Sequence, residues 1–209
     1  MVALFQSDSV AASARATAVQ FASHDQVSVL YRDKAVQSLA LTAPFTGVSG
    51  MTALYDGLAA TIEAIGDGAD RGQCNIVWLM SDGGENDSKK MSQNDIQKLV
   101  AAKRLAGWKF VYAWEATGGG ASGADAAAAD LGFDRGLTIR FSADAAVART
   151  AVMEVVADKV KEWWAAGCPN EIAFTARERA MVDMGLAPSV YTEAIYESTV
   201  YVFGFGVPL

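Results

Sequence analysis

Histidine and cysteine are scarce in this chain, whose 209 residues include one histidine and two cysteines. Two cysteines do not make a disulfide framework for a chain of this length. Cys74 and Cys168 could pair, but Cys74 lies beside an apolar strand pattern and Cys168 follows a helix stop, where a buried or idle thiol is expected. We therefore expect two free thiols in a protein that is made in a reducing cytoplasm.

Long apolar runs and a basic leader are also missing. No run approaches the ~20 apolar residues of a membrane-spanning helix, and the first eight residues lack the basic region and the apolar length of a signal peptide. Basic residues are outnumbered, with 17 Lys and Arg against 24 Asp and Glu and a net charge of −7. An acidic chain is poorly suited to nucleic acid or to an anionic membrane. We expect a soluble protein without a signal peptide that binds neither of them.

Motifs for catalysis are few. A Ser-His-Asp set would need His24, the only histidine, which lies in the polar link Ser23-His24-Asp25; a solvated loop histidine is the simpler interpretation. The sequence has no nucleophile elbow and no phosphate-loop lysine motif. Residues 118–123 fit the dinucleotide pattern G-x-G-x-x-G, but an Ala/Gly-rich run satisfies it by composition. We expect a flexible loop there, no organic cofactor and no enzymatic activity.

The first 50 residues predict a strand, a helix and a hairpin. Val2–Phe5 is a short apolar run that predicts a first strand, and the alanine-rich segment Ala11–Ala22 predicts a helix. Apolar residues then alternate with polar ones on both sides of Arg32–Lys34. This alternation predicts a hairpin with its turn at Arg32–Lys34.

Beyond residue 52 the helical and strand patterns alternate. Helical periodicity runs from Leu54 to Gly66, from the capping signal Ser92/Asp95 to Gly107, through an alanine-rich segment to Leu131, and from Val147 to Gly167. The runs that predict strands are Ile76–Met80, Trp108–Trp114 and Leu137–Phe141. Strands that alternate with helices predict βαβ units. The expected fold is α/β, a doubly wound and mostly parallel central sheet with helices on both faces.

The chain changes character near residue 167, so we expect an α/β domain over residues 1–167 and an extension over residues 168–209. Thr175 and Glu178 predict a helix cap, and the helix should end at Gly185. Aromatic residues then crowd the last part of the chain, at Tyr191, Tyr196, Tyr201, Phe203 and Phe205. Two interpretations stay open. The segment could pack back on the domain's own core, or it could be a docking arm that adds residues 198–205 as a strand to a partner's sheet.

Two motifs place oxygen-bearing side chains near element ends. Gly50-Met51-Thr52-Ala53-Leu54-Tyr55-Asp56-Gly57 puts the Thr52 hydroxyl at the mouth of a helix, and Ser81-Asp82-Gly83-Gly84-Glu85-Asn86-Asp87 puts the Asp82 carboxylate just past an apolar strand. Both groups are hard ligands of the type that holds Mg²⁺ or Ca²⁺. Each also has a structural interpretation, Thr52 as a helix N-cap and Asp82 as an Asx-turn residue. Glu85, Asn86 and Asp87 are expected to be solvated loop residues.

Together these motifs resemble the von Willebrand factor A domain, in the subgroup with a G-x-T-A-L-x-D segment and an S/T-D-G-x-E-N segment that is common in bacterial and phage proteins. The resemblance covers residues 2–165. It implies a metal-ion-dependent adhesion site built from a D-x-S-x-S loop, a threonine loop and an aspartate loop. In the first of these loops Gln6 stands for the aspartate, Asp8 for the first serine and Val10 for the second. The implied ligands for Mg²⁺, or for Mn²⁺ or Ca²⁺, are Asp8, Ser9, Thr52 and Asp82, in a degenerate site.

The resemblance implies a function as well. We expect a non-enzymatic protein-binding or scaffold protein, a subunit of a larger oligomeric assembly such as a phage virion. The loops at residues 7–9, 50–52 and 82–86 would contact the protein partner, and Tyr196, Tyr201, Phe203 and Phe205 are candidate partner-binding residues in the docking arm. The alternative is an adhesion or signalling module that depends on bound Mg²⁺ or Mn²⁺.

Overall fold

A computed structural model describes residues 5–6, 13–39, 50–66, 73–81, 84–116, 121–142, 146–183 and 200–208. These residues include six strands and five α-helices of eight or more residues, together with short 3₁₀ helices at Val36–Ser38 and Arg135–Leu137. The strands are β1 (Arg15–Phe21), β2 (Ser28–Ala35), β3 (Gln73–Ser81), β4 (Lys109–Ala116), β5 (Thr138–Ser142) and β6 (Val200–Pro208). The helices are α1 (Leu54–Ile65), α2 (Gln93–Leu105), α3 (Ala121–Leu131), α4 (Ala146–Ala165) and α5 (Ala176–Asp183). Among the described helices, none combines the length and the apolar character needed to cross a bilayer.

The strands form one sheet in the order β2-β1-β6-β3-β4-β5. Strands β3, β4 and β5 are parallel, whereas β6 is antiparallel to both β1 and β3, and β1 is antiparallel to β2. The chain is therefore an α/β protein with a three-stranded parallel sheet flanked by helices. The prediction of a mostly parallel sheet holds only for β3, β4 and β5, because β6 and the β1–β2 hairpin make the other half antiparallel.

At β3 both faces of the sheet are covered. On one face of β3, Ile76, Trp78 and Met80 pack in a cluster with residues of α4. On the other face, Val77 and Leu79 pack in a second cluster with residues of α1 and α2. Side chains of a strand alternate between faces, so a continuous apolar run is what a central strand needs. The seven residues from Cys74 to Met80 are all buried.

The helix boundaries follow the capping signals in the sequence. Helix α1 ends at Gly66, whose φ of 84° suits glycine. Ser92 caps α2 by accepting a hydrogen bond from the backbone N–H of Asp95. At the start of α5, Thr175 N–H donates to Glu178 Oε2 at 2.6 Å, and Glu178 N–H donates to Thr175 Oγ1 at 3.2 Å. This reciprocal capping box confirms the predicted start of that helix.

Among the N-terminal predictions that can be tested, the helix and the position of the hairpin turn are wrong. Within the segment Ala11–Ala22, which was expected to be a helix, residues 15–21 form strand β1. The expected turn at Arg32–Lys34 lies inside β2, where Asp33 has a φ of 47° and forms an ion pair with Arg15. The chain instead reverses between the two strands, where Gln26 N–H donates to Ser23 O at 2.8 Å. Residues 2–4 of the predicted first strand lie outside the described residues, and Phe5 is helical.

The C-terminal aromatic segment forms a central strand of the chain's own sheet. Strand β6 pairs with β1 from Arg15↔Gly206 to Phe21↔Val200 and with β3 from Gln73↔Pro208 to Met80↔Tyr201. Of the two interpretations left open by the sequence, the structure shows the one in which the segment returns to its own domain. Tyr201, Phe203 and Phe205 belong to this strand, and Tyr196 lies outside the described residues. The division into residues 1–167 and 168–209 stays a prediction.

The two cysteines are joined, so the prediction of two free thiols is wrong. Cys74 in β3 and Cys168 after α4 form a disulfide with a Cα–Cα distance of 6.0 Å. The two residues are 94 positions apart in the sequence, and only the fold brings them together. Disulfides are typical of oxidising environments, and the predicted reducing cytoplasm stays a prediction.

Candidate functional site

The carboxyl ends of β1 and β3 lie at the same edge of the sheet, because both strands are antiparallel to β6, which lies between them. Three described segments converge at this edge: residues 22–27 after β1, residues 50–56 at the start of α1, and residues 84–91 before α2. We call these three segments the rim. Ligands of open α/β sheets bind outside the carboxyl ends of the strands, so the rim is the candidate functional site.

The backbone of residues 51–53 connects the three segments, with Thr52 at its centre. Its N–H donates to the side chain of Asn86, with Thr52 N 2.6 Å from Asn86 Oδ1. Its carbonyl oxygen accepts from the backbone N–H groups of Asn86 and Asp87 at 3.0 and 3.2 Å. On the other side, Ala53 N–H donates to Ala22 O at 2.6 Å, and Met51 N–H donates to Ser23 Oγ at 3.3 Å. The two sequence motifs are therefore hydrogen-bonded directly to each other.

The carboxylate of Glu85 joins residues 84–91 to the first turn of α1. Glu85 Oε2 accepts from Tyr55 N–H at 2.9 Å and from the Ser88 hydroxyl at 2.7 Å. Glu85 Oε1 accepts from the N–H groups of Asp87 and Ser88 at 2.8 and 2.6 Å. A carboxylate near the N-terminus of a helix is also favoured by the helix dipole. Glu85 is a structural residue of the rim, with both oxygens hydrogen-bonded.

Asp56, which lies in α1, also joins the start of this helix to residues 84–91 through its carboxylate. It is only 5% exposed, and its two oxygens accept from the backbone N–H groups of Lys89, Lys90 and Met91 at 2.8 to 3.2 Å. Its own N–H donates to Ser88 Oγ at 3.1 Å. Residues 84–92 form neither helix nor strand, so their backbone donors need partners outside regular structure. The two oxygens of Asp56 are the acceptors for three of these donors.

His24 and Asp87 connect the β1–β2 loop to residues 84–91. Asp87 Oδ2 lies 2.8 Å from His24 Nδ1 and 2.9 Å from the backbone nitrogen of His24. Lys89 Nζ lies 3.2 Å from the other oxygen of Asp87. The backbone hydrogen bond from His24, followed by the one from its ring, lowers the pKa of Asp87 to about 2. Asp87 is therefore an ionised carboxylate at neutral pH, buried beside two cationic or cation-forming side chains.

The predicted site residues can be tested only in part. Thr52 lies at the rim, but Asp8, Ser9 and Asp82 lie outside the described residues. Thr52 is not the N-cap of α1, since Ala53 occupies that position without a side-chain hydrogen bond. Thr52 is 9% exposed, and none of the described hydrogen bonds is donated by its hydroxyl. The described residues contain no group of three His, Cys, Asp or Glu residues that could hold a metal ion.

The prediction that Glu85, Asn86 and Asp87 are solvated loop residues is right about the loop and about the exposure of Asn86, and wrong about the exposure of Asp87. Asn86 is exposed, but its amide oxygen is hydrogen-bonded to Thr52. The side chain of Asp87 is only 8% exposed, and Glu85 is half-buried. Asp56 was missed altogether. The available signal was the polar run from residue 84 to residue 91, whose backbone donors require acceptors.

Several side chains remain open to solvent at this edge. Met51 is 49% exposed, the His24 side chain 47% and the Lys89 side chain 61%. Lys90 is also exposed, and Val29, 41% exposed, lies near the start of β2 just beyond the β1–β2 loop. The rim thus combines a hydrogen-bonded backbone with apolar, imidazole and ammonium groups that face outward. Such a surface is suited to contacts with another molecule.

Neither a family model, nor a curated protein, nor a solved structure matches the chain. A functional proposal must therefore come from the residues of the rim and from the motifs that form it.

Proposed function

We propose that this chain is a non-enzymatic protein-binding or scaffold protein that contacts its partner through the rim. We further propose that its sheet is a doubly wound domain of the von Willebrand factor A type. The observation that carries the proposal is the mutual hydrogen bonding of the two motifs at Thr52 and Asn86. The resemblance assigns partner contact to the loops that contain these motifs.

The pattern of hydrogen bonds supports a binding role. Both oxygens of Glu85 and of Asp56 accept hydrogen bonds from neighbouring donors, so these carboxylates hold the loop in place. The side chains that face outward include Met51 and Lys90. A loop that is already ordered loses less conformational entropy on binding. This surface therefore suits the capture of a protein partner better than a flexible loop would.

The proposal extends to the assembly in which the protein works. We propose a subunit of a larger oligomeric assembly, such as a phage virion or its assembly apparatus, which the resemblance to bacterial and phage proteins supports. The net charge of −7 favours a protein partner over nucleic acid or an anionic membrane. The backbone of β6 is paired on both edges, so it adds no strand to a partner's sheet in this structure; partner contacts of Tyr201 and Phe203 stay a prediction.

Site-specific photo-cross-linking tests the proposal. A photoreactive amino acid at Met51 on the rim is expected to capture one defined protein in the cells that make this chain. The matched control carries the same group at Leu105, which is 92% exposed at the far end of α2. Capture of the same proteins from both positions, or of none from Met51, would contradict the proposal.

A second candidate function is an adhesion or signalling module that depends on bound Mg²⁺ or Mn²⁺. It is favoured by the hydroxyl of Thr52, a hard oxygen that donates no described hydrogen bond, on a residue that is 9% exposed. Of the four implied ligands, Thr52 is the one that the described residues include. Cation binding to the folded state raises its apparent stability. Millimolar Mg²⁺ or Mn²⁺ is therefore expected to raise the melting temperature of the wild type but not of Asp82→Ala. No shift in the wild type would exclude this candidate.

A further inference from the structure

The imidazole of His24 is held at one nitrogen and open at the other. Nδ1 lies 2.8 Å from Asp87 Oδ2, and the backbone nitrogen of His24 lies 2.9 Å from the same oxygen. The Asp87 side chain is 8% exposed and that of His24 is 47% exposed. Two contacts to one buried oxygen fix the position of the residue, so the ring has a defined orientation at the rim.

The chemistry of Asp87 decides which ring nitrogen carries the proton. An ionised carboxylate only accepts hydrogen bonds, and Asp87 Oδ2 already accepts the backbone N–H of His24 at 2.9 Å. The nitrogen that faces it, Nδ1, must therefore be the N–H donor. In a neutral imidazole the other nitrogen, Nε2, then carries a lone pair and acts as an acceptor.

The surroundings leave Nε2 available to another molecule. None of the described hydrogen bonds uses Nε2, since the ring's described contact is the one from Nδ1 to Asp87. The charged groups around the pair are Lys89, whose Nζ lies 3.2 Å from Asp87 Oδ1, and Glu85, which accepts the Asp87 backbone N–H at 2.8 Å. Asp25, the next residue in the chain, is exposed. Lys89 and Glu85 therefore contact Asp87, and neither occupies the acceptor at Nε2.

We propose that His24 is a partner-contacting residue of the rim, whose Nε2 accepts a hydrogen bond from a hydroxyl, amide or ammonium donor of the bound protein. Asp87 is the positioning residue that fixes the tautomer and the direction of the ring. This inference rests on the proposed function, because it assigns the atom that makes a specific contact at the same site. It also gives a role to the single histidine of the chain.

The tautomer can be measured without any partner. In a preparation without a polyhistidine tag, His24 supplies the only histidine ring signals, so the ring ¹⁵N chemical shifts at neutral to mildly alkaline pH identify the protonated nitrogen. We expect Nδ1–H in the wild type and in the control Asp25→Asn, and a shift toward Nε2–H in Asp87→Ala. A wild type that is mainly Nε2–H would overturn the proposal, even if Asp87→Ala does not fold.

The contact itself is tested with the protein captured at Met51. In His24→Asn the side-chain amide N–H can replace Nδ1–H toward Asp87, while the acceptor at the Nε2 position is lost. We expect binding of that protein to weaken roughly five- to tenfold with an unchanged melting temperature. In His24→Gln the side-chain amide reaches the position of Nε2 and can supply an acceptor there. Binding is therefore expected to recover in part.

The outcomes separate this inference from the proposed function. If Met51 captures a partner but His24→Asn binds it as tightly as the wild type, the contact at Nε2 is overturned and the rim remains the binding surface. If Met51 captures no partner, the proposed function fails and the contact fails with it. Loss of binding in His24→Asn together with a lower melting temperature would assign His24 a structural role and overturn the proposal.

Discussion

Asn86 and Thr52 exchange two hydrogen bonds across the rim. Asn86 Oδ1 accepts the backbone N–H of Thr52 at 2.6 Å, and Thr52 O accepts the backbone N–H of Asn86 at 3.0 Å. Thirty-four positions separate these residues in the sequence, and each belongs to one of the two motifs. The pair connects the start of α1 to the loop that precedes α2. A change of the Asn86 side chain should therefore remove a hydrogen bond from Thr52.

Replacement of Asn86 by alanine tests the contribution of this connection to stability. Asn86→Ala leaves the N–H of the buried Thr52 without its acceptor, and an unsatisfied buried donor costs about 1–3 kcal/mol. We expect the free energy of unfolding to fall by about that amount in urea denaturation. Asn94→Ala, at an exposed position on α2, is the matched control. Equal stability of the two variants would contradict the role of Asn86.

Asp56 should be more sensitive than Asn86, because its oxygens serve three backbone donors. In Asp56→Asn one oxygen is replaced by an NH₂ group that faces other N–H donors. Hydrogen bonds to charged groups contribute about 1.5–3 kcal/mol, so we expect a loss of about 2–4 kcal/mol by urea denaturation. Asp125→Asn, at an exposed position in α3, should change stability by less than about 0.5 kcal/mol. A loss at Asp56 no greater than that of this control would contradict our assignment.

The pH dependence of stability should report on Asp87. The pKa of Asp87 is lowered in the folded chain to about 2, from an ordinary value of 3.8. A lowered pKa means that the ionised group stabilises the fold above its ordinary pKa and that this stabilisation is lost as the pH falls toward 2. We therefore expect the difference in unfolding free energy between wild type and Asp87→Asn to shrink from pH 6 to pH 2. A constant difference over this range would contradict the assignment.

The disulfide should contribute strongly to stability. Cys74 and Cys168 are 94 residues apart, and closing a loop of that size in the unfolded chain contributes about 4–5 kcal/mol in the chain-entropy model. We expect the double variant Cys74→Ser/Cys168→Ser to melt at a lower temperature than the oxidised wild type. Reductant should lower the melting temperature of the wild type and leave the double variant unchanged. Peptide mapping without reduction that finds free thiols would contradict the pairing.

Gly57 in α1 is expected to resist substitution despite its place in a helix. An alanine Cβ would contact the ring of Phe21 in β1, because the helix packs closely against the sheet. Overpacking of this kind costs about 1–3 kcal/mol. Gly123 in α3 is the matched control, since a Cβ there would lie 3.7 Å from Trp114, an ordinary contact. Gly57→Ala should destabilise the protein, whereas Gly123→Ala should be neutral or stabilising by up to about 1 kcal/mol. A stabilised Gly57→Ala would contradict the close packing.

Local sequence patterns predicted the elements whose signals are local. Helix α1 follows from the spacing of Leu54, Leu58 and Ile62 and from the stop at Gly66, and β3 follows from its continuous apolar run. Strand β1 was missed because Ala14, Ala16 and Ala18 have high helix propensity, which pairing with β2 and β6 overrides. The position of β6 could not be predicted, since its neighbours in the sheet are distant in sequence.

The candidate site shows the same limit. The motif correctly placed Thr52 just before the start of a helix. The implied meeting of Asp8, Thr52 and Asp82 at one site stays a prediction, because Asp8 and Asp82 lie outside the described residues. The polar run from residue 84 indicates that backbone donors there need acceptors, but it does not identify Asp56 and Glu85 as those acceptors, because that depends on how the irregular loop folds. The polar neighbours Ser23 and Asp25 indicate a solvated loop histidine at His24, and nothing local points to its partner Asp87, which lies 63 positions away.

The central position of β6 has a consequence for folding during synthesis on the ribosome. Strand β1 leaves the ribosome early, but β6, which pairs with it, is synthesised after all the other described elements. Until residues 200–208 leave the exit tunnel, the edge of β1 and the edge of β3 that pair with β6 have no partner strand. Nascent chains at this stage are expected to need protection from aggregation, because unpaired strand edges readily recruit other strands.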